Sequence, residues 1–322
     1  MSAALAHARR RAPAAVSAVA VGGVAWWASH QRLPPLPEGG VRLTPLLAAV
    51  VVYALGTALR CERWQRLLTR TGVASARADA YGLVAVGYMA NNTLVARAGD
   101  VLKAVLTAGR TGTGIARIAG LAVGERALDA VALVVLFGAA AFLGPQTGIA
   151  GSGHLVRDGA IAGAAVAAAC ALAALLVRRT RFAVAVRREL LAAARSLRPL
   201  AGRSGAWLLA MSIAVWLLEA VVYVAVARAV GMKLGLLAGV QIVTLVNLIG
   251  LVPAAPANLG TFDAAVLFAT AQLATGGSGL AYVLVLRLVL FVPVTLVGLV
   301  VLVTRYGGLS RLRMPRPLSS AA

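Results

Sequence analysis

Long, predominantly apolar runs dominate this chain: Leu43 to about Leu59, Ile118 to Leu143, Ala160 to Val177, Ala206 to Val230 and Leu280 to Val303. Crossing ~30 Å of hydrocarbon takes about 20 residues of α-helix. A backbone in lipid must satisfy its own polar groups, which leaves only helices and closed barrels. No alternating strand pattern is present, which disfavours a barrel. With 61% hydrophobic residues and a mean hydropathy of +0.88, the chain is expected to be an all-α polytopic membrane protein.

The formal net charge of +21 would suggest nucleic acid in a soluble protein. Here the arginines cluster in loops between apolar runs, as cytoplasmic loops do, so no nucleic-acid partner is expected. Cys61 and Cys170 are far apart, and His7, His30 and His154 lie in predicted loops. No disulfide framework, metal site or cofactor is expected from them.

Taken in order, residues 1–42 hold an arginine-flanked apolar run, Ala14 to Ala28, and a Pro-rich linker. The run is read either as a span, with Trp26 and Trp27 as interfacial anchors, or as a signal peptide. Arg60, Arg63, Arg66, Arg70 and Arg77 follow the next span and mark a cytoplasmic loop, with Trp64 at the interface. Residues 144–205 hold a Gly-rich outer loop, a span back, and a second very basic loop. In that loop Phe182 to Leu197 suits an amphipathic helix on an anionic leaflet. Residues 304–322 form a basic tail. Both termini are expected on the cytoplasmic side of the plasma membrane.

Loop charge then fixes the topology. Asp79 to Arg117 must enter and leave on the inner face, and Leu234 to Gly279 on the outer face, with Leu234 to Leu251 long enough to cross fully. The expectation is about six full spans plus two re-entrant or broken-helix hairpins. They form an inverted-topology repeat with halves at 43–143 and 206–303.

Each hairpin contains a polar, helix-breaking stretch: Asn91-Asn92-Thr93-Leu94-Val95-Ala96-Arg97-Ala98-Gly99-Asp100, and Val252 to Asp263 with Pro253, Pro256 and Gly260. Broken helices at membrane depth are tolerated where they are buried in protein or line a watery cavity. A pair of them, one per half, points to a substrate site at the repeat interface.

Five of the ten acids, Asp100, Glu125, Asp129, Glu219 and Asp263, fall in or beside membrane segments. Burying each costs at least ~2.5–3.5 kcal/mol on insertion scales, so partners are expected from Arg97, Lys103, Arg126 and Arg287. Glu125 and Asp129 share a helix face at i,i+4. They require either a proton or an intervening arginine, and serve as an ion-pair staple or as a proton or headgroup site. Arg97, beside a helix N-terminus, suits a phosphate, or pairs with Asp100 as that acid caps its helix. Asp263 has the same capping alternative. Asn92 and Asn247 line a cavity or hydrogen-bond between helices. Glu219, at mid-span, is a functional candidate with Arg287 as its expected partner.

These residues resemble the integral membrane region of lysylphosphatidylglycerol synthases, the flippase-like domain family. Three motifs carry the likeness over about Leu43 to Val303. Asn91 to Asp100 is similar to the family's Asn-x-x-x-Pro-x-Arg-x-Gly-acid pattern, and Glu125-Arg126-Ala127-Leu128-Asp129 to Glu-Arg-x-x-Asp. Pro253 to Asp263 is similar to Pro-x-x-Pro-Gly-Gly-x-Gly-x-x-acid, and Arg287 resembles the family's last-span arginine. Val95 replaces proline, Ala257-Asn258 replaces Gly-Gly, and Asp100 and Asp263 replace the commoner glutamate. The resemblance implies movement of a lipid between leaflets, with an anionic, modified or polyprenyl-linked headgroup. The soluble aminoacyl-transfer domain is not among these residues, so lysyl transfer is not expected. The expected partners are membrane lipids with anionic headgroups, and either a second copy of the chain or a cell-envelope enzyme. A lipid-linked-sugar transferase and a non-transporting scaffold are the rival functions.

Overall fold

A computed structural model of the chain describes residues 40–94, 98–143, 202–249, 256–272 and 279–307. The described residues form eight α-helices and a 3-10 turn, with no strand among them. The helices are α1 (Leu43–Arg70), α2 (Arg77–Thr93), α3 (Ala98–Thr111) and α4 (Ile115–Leu143), then α5 (Arg203–Ala229) and α6 (Leu236–Ile249). The turn Pro256–Asn258 precedes α7 (Thr261–Gln272) and α8 (Gly279–Tyr306). Helices α1, α4, α5 and α8 are each long and apolar enough to cross a membrane, and α6 and α7 are shorter apolar helices. The expected spans Ala14 to Ala28 and Ala160 to Val177, and the amphipathic segment Phe182 to Leu197, lie outside the described residues.

The order long, short, short, long occurs twice, and the local chemistry repeats with it. Helix α1 ends where Gly72 turns into left-handed backbone at φ 73° and the Val73 amide reaches back to the Leu68 carbonyl at 2.9 Å. Helix α5 ends the same way, with Gly231 at φ 80° and the Met232 amide on the Ala227 carbonyl at 2.8 Å. Only glycine adopts that backbone without a Cβ penalty, and the returning amide satisfies a last-turn carbonyl. The hydrophobe after each glycine, Val73 or Met232, is buried.

Packing is centred on α1 against α5. Outside this pair, α8 lies on α2 and α4 lies on α6. Small residues permit the close approaches. A Cβ on Gly298 of α8 would collide with the Ala85 carbonyl of α2, and one on Gly239 of α6 would press on the Ala220 carbonyl of α5. Such contacts are how helices associate where no hydrophobic force separates protein from lipid. The larger core joins α1, α4, α5, α6, α7 and α8 around Trp216, Tyr223 and Tyr282. A second, around Trp64 and Leu121, holds α2 and α3 against α1 and α4.

Two expectations change. Helix α1 does not stop near Leu59 but continues to Arg70, and Arg60 and Arg63 are only 6% and 2% exposed. Trp64 is fully buried, not interfacial. The reason is periodicity: residues 60, 63, 64, 67 and 68 share one helix face, which turns inward, while Glu62, Arg66 and Arg70 share the other. The first arm of the second hairpin is described over Leu236–Ile249, 14 residues, about 21 Å at 1.5 Å per residue, and the end of the expected Leu234 to Leu251 arm lies outside the described residues.

Candidate functional site

The two interrupted stretches meet inside the bundle. Helix α2 runs through Asn91, Asn92 and Thr93 before it breaks at Leu94, and α3 restarts at Ala98. Gly99 is required there. A Cβ at that position would run into the Gly87 carbonyl and the backbone amide of Asn91, so only glycine lets α3 fold back onto α2. On the other side, Ala257 and Asn258 sit in left-handed backbone at φ 52° and 50°, followed by Gly260 at φ 83°. A non-glycine residue there is strained by of order 1–2 kcal/mol. Arg287 of α8 holds the strained turn. Its Nη1 donates to the Ala257 carbonyl at 3.2 Å and its Nη2 to the Asn258 carbonyl at 3.4 Å.

The two halves use one device to secure the helix that follows each break. Asp100, in the first turn of α3, accepts from Arg126 Nη2 of α4 at 2.7 Å and from Asn91 Nδ2 at 3.2 Å. Asp263, in the first turn of α7, accepts from Arg287 Nη2 of α8 at 2.8 Å and from the Gly260 amide at 2.9 Å. An acid at a helix N-terminus complements its dipole, and a guanidinium on the neighbouring long helix completes the clamp. Asp263 therefore both caps and pairs. Asp100 pairs with Arg126; its expected partner Arg97 lies outside the described residues.

The buried charges form matched sets. Arg63 Nη2 donates to Glu125 Oε1 at 3.0 Å and to Asp129 Oδ2 at 3.1 Å, so an arginine does lie between the two carboxylates. It is Arg63 of α1, which sequence reasoning had placed in a loop. Lys103 Nζ donates to Glu125 Oε2 at 2.6 Å and stacks 4.0 Å from the Trp64 ring. Arg126 also approaches Asp129 at 3.7 Å. Glu219 is corrected too. Its partner is Arg60 of α1, not Arg287. Five cations (Arg60, Arg63, Lys103, Arg126 and Arg287) thus meet five acids (Glu219, Glu125, Asp129, Asp100 and Asp263). Buried charges persist when paired in this way.

Between these sets lies a cavity of about 140 Å³. Arg60 and Tyr53 of α1, Asn91 and Asn92 of α2, and Arg126 and Asp129 of α4 form one part of its lining, that from the first half of the chain. Trp216, Glu219 and Tyr223 of α5, Asn247 of α6, Ala257 and Asn258 of the turn, and Phe291 of α8 form the other. Five sequence candidates, Asn92, Arg126, Asp129, Glu219 and Asn247, therefore border one cavity. Asp100 and Glu125 lie behind it, with Lys103 beside a smaller void. Asp263 and Arg287 brace its turn. Asn92 fulfils both readings given to it: it borders the cavity and its Nδ2 donates to Thr295 Oγ1 of α8 at 2.8 Å. Asn247 Nδ2 donates to the Val243 carbonyl at 2.9 Å and faces Glu219 Oε1 at 3.4 Å.

Sequence reasoning missed Arg60, Arg63 and the aromatic walls. Their signal was the helical spacing of Arg60 and Arg63 with Trp64, Leu67 and Leu68. A larger open groove of about 650 Å³ lies among Arg66, Arg70, Arg203 and Trp207. Among the described residues its side chains are a half-buried Arg66, exposed Arg70 and Arg203, and an exposed Trp207 at one end of α1 and α5, a more solvated lining than that of the inner cavity. Among the described residues, no group of three or more His, Cys, Asp or Glu side chains is placed to hold a metal ion.

No curated protein sequence and no solved structure matches the chain. The model of the family described as lysylphosphatidylglycerol synthase TM region matches residues 5–298. That span includes every helix break, ion pair and cavity residue described above, and the chain belongs to this family of membrane proteins.

Proposed function

We propose that the protein is a lipid translocase: it carries a lipid headgroup between leaflets through the cavity between the two helix breaks, while the tails stay in the bilayer. One observation carries this reading. A polar, charge-lined cavity lies inside an apolar helical bundle, where interrupted helices from both halves of the chain meet. Interrupted helices around an internal site are the arrangement that alternating-access carriers use.

The packing supports an inverted repeat of 43–143 and 206–303. Exchanging the halves maps the α8–α2 contact onto the α4–α6 contact, and maps Asp100–Arg126 onto Asp263–Arg287. Loop charge supports placing the two hairpins on opposite faces of the plasma membrane, with the first opening to the cytoplasm. The headgroups consistent with the family are anionic, modified or polyprenyl-linked.

Reconstitution into liposomes with labelled phospholipids, glycolipids and polyprenyl phosphates tests the proposal. Exchange between leaflets above that of protein-free liposomes is expected for at least one lipid. Exchange equal to protein-free liposomes across the whole panel overturns it.

A further inference from the structure

The cavity shows which part of a headgroup it would recognise. Its described lining carries two cations, Arg60 and Arg126, and two acids, Asp129 and Glu219. Each is already paired: Arg60 with Glu219, and Arg126 with Asp100 and Asp129. A bare anion would have to displace a carboxylate from a buried arginine and leave that carboxylate unpaired, which is costly. The described lining charges cancel, so they offer a bare anion no net attraction.

The hydrogen-bonding capacity that remains unused is neutral. Trp216, Glu219 and Tyr223 lie at i, i+3 and i+7 on one face of α5, and all three line the cavity. Trp216 Nε1 and Tyr223 Oη are buried, in residues only 7% and 0% exposed, and have no hydrogen-bond partner among the described residues. Leaving such a group unsatisfied costs about 1–3 kcal/mol, so buried polar atoms of this kind ordinarily have a partner. Between them, Glu219 keeps acceptor capacity beyond its bond from Arg60, because Asn247 reaches it only at 3.4 Å. Donor, carboxylate acceptor and donor in sequence, on a wall with aromatic faces, match vicinal hydroxyl groups, which both donate and accept and stack C–H faces on rings.

We infer that the cavity binds a hydroxyl-rich headgroup, a sugar or other polyol, through Trp216, Glu219 and Tyr223, and that the balanced charges of its described lining are not what selects it. This inference rests on the translocase reading for its lipid context only; hydroxyl recognition itself does not require transport.

The test uses the full chain in nanodiscs, purified in a sugar-free detergent. Binding of four probes is measured: a monoglucosyl diacylglycerol, phosphatidic acid, phosphatidylethanolamine, and soluble methyl glucoside. The glucosyl lipid is expected to bind at least about tenfold more tightly than phosphatidic acid or phosphatidylethanolamine. Tyr223→Phe removes only the hydroxyl and keeps the ring, while Trp216→Phe removes the indole N–H and keeps a smaller aromatic face; neither changes the charge. Each is expected to weaken the glucosyl lipid about fivefold to tenfold and to leave phosphatidic acid unchanged. Methyl glucoside binding as tightly as the glucosyl lipid supports the hydroxyl site and assigns it a soluble sugar. Phosphatidic acid or phosphatidylethanolamine binding as tightly as the glucosyl lipid overturns the inference, as does unchanged glucosyl-lipid binding in both variants. Hydroxyl-selective binding without leaflet exchange sustains the inference and removes the translocase reading; exchange without hydroxyl selectivity does the reverse.

Discussion

Arg60 of α1 donates to Glu219 of α5, one charge from each half of the chain, across the most extensively packed pair of the described helices. Arg60 also lies 5.2 Å from the Trp216 ring and 6.0 Å from the Tyr88 ring, so the pair is enclosed by aromatic surface. Removing one member of a buried pair leaves an uncompensated charge and costs about 3–5 kcal/mol, while replacing both with apolar groups is often near neutral. Arg60→Met and Glu219→Met are each expected to lower unfolding stability by that amount, and the double variant to recover most of it. Thermal unfolding in nanodiscs measures this; a double variant as unstable as the sum of the singles contradicts the pairing.

Arg63 reaches two carboxylates with one planar group. A lysine keeps the charge but not the fork. Arg63→Lys is expected to cost about 2–3 kcal/mol through the weakened bonds to Glu125 and Asp129. Arg66→Lys, at the half-exposed i,i+4 pair with Glu62, is expected to stay within about 0.5 kcal/mol. Equal effects of the two substitutions in chemical unfolding would contradict the burial of Arg63.

The fold was legible where apolar length and loop charge spoke: the long helices, the short arms between them, and the two breaks all follow from the sequence. The site was half legible. Glu125, Asp129, Glu219, Asp100 and Asp263 stood out because acids are costly in apolar helices, but their partners did not. Arg60 and Arg63 have neighbours, Arg66 and Arg70, that belong to an exposed arginine cluster. Composition cannot separate an arginine that is solvated from one three residues away that is buried; only the helical face does so. Arg287 pairs with Asp263 and not Glu219 because α8 lies beside α7 and contributes to the same turn, a matter of tertiary placement. Trp216 and Tyr223 read as ordinary span residues until the cavity beside them was seen.

Gly99 and Gly109 both lie in α3 yet should respond in opposite ways. A Cβ at Gly99 meets the Gly87 carbonyl and the Asn91 backbone, whereas one at Gly109 meets nothing within 4 Å. Gly99→Ala is expected to cost about 2–3 kcal/mol by forcing α3 off α2. Gly109→Ala is expected to stabilise by about 0.5–1 kcal/mol through helix propensity. Melting temperatures of the two variants moving in the same direction would contradict the close α2–α3 approach.

Ala257 occupies left-handed backbone that disfavours any Cβ. Ala257→Gly is expected to stabilise by about 1 kcal/mol, as relieved strain exceeds the added freedom of the unfolded chain. A stability loss of that size in equilibrium unfolding would contradict the backbone geometry of the turn.

The central claim is that a headgroup crosses through the cavity between the two breaks. Asn247 borders that cavity and makes only a long contact to Glu219, so Asn247→Trp fills the passage and leaves the ion pairs in place. Leaflet exchange of a labelled lipid in reconstituted liposomes is the direct measurement, with melting temperature confirming that the variant is folded. Exchange above protein-free liposomes is expected for the parent chain, and a fall of at least about tenfold, equal to 1.4 kcal/mol in barrier, for a folded Asn247→Trp. Exchange by the folded variant at the parent rate would contradict the central claim.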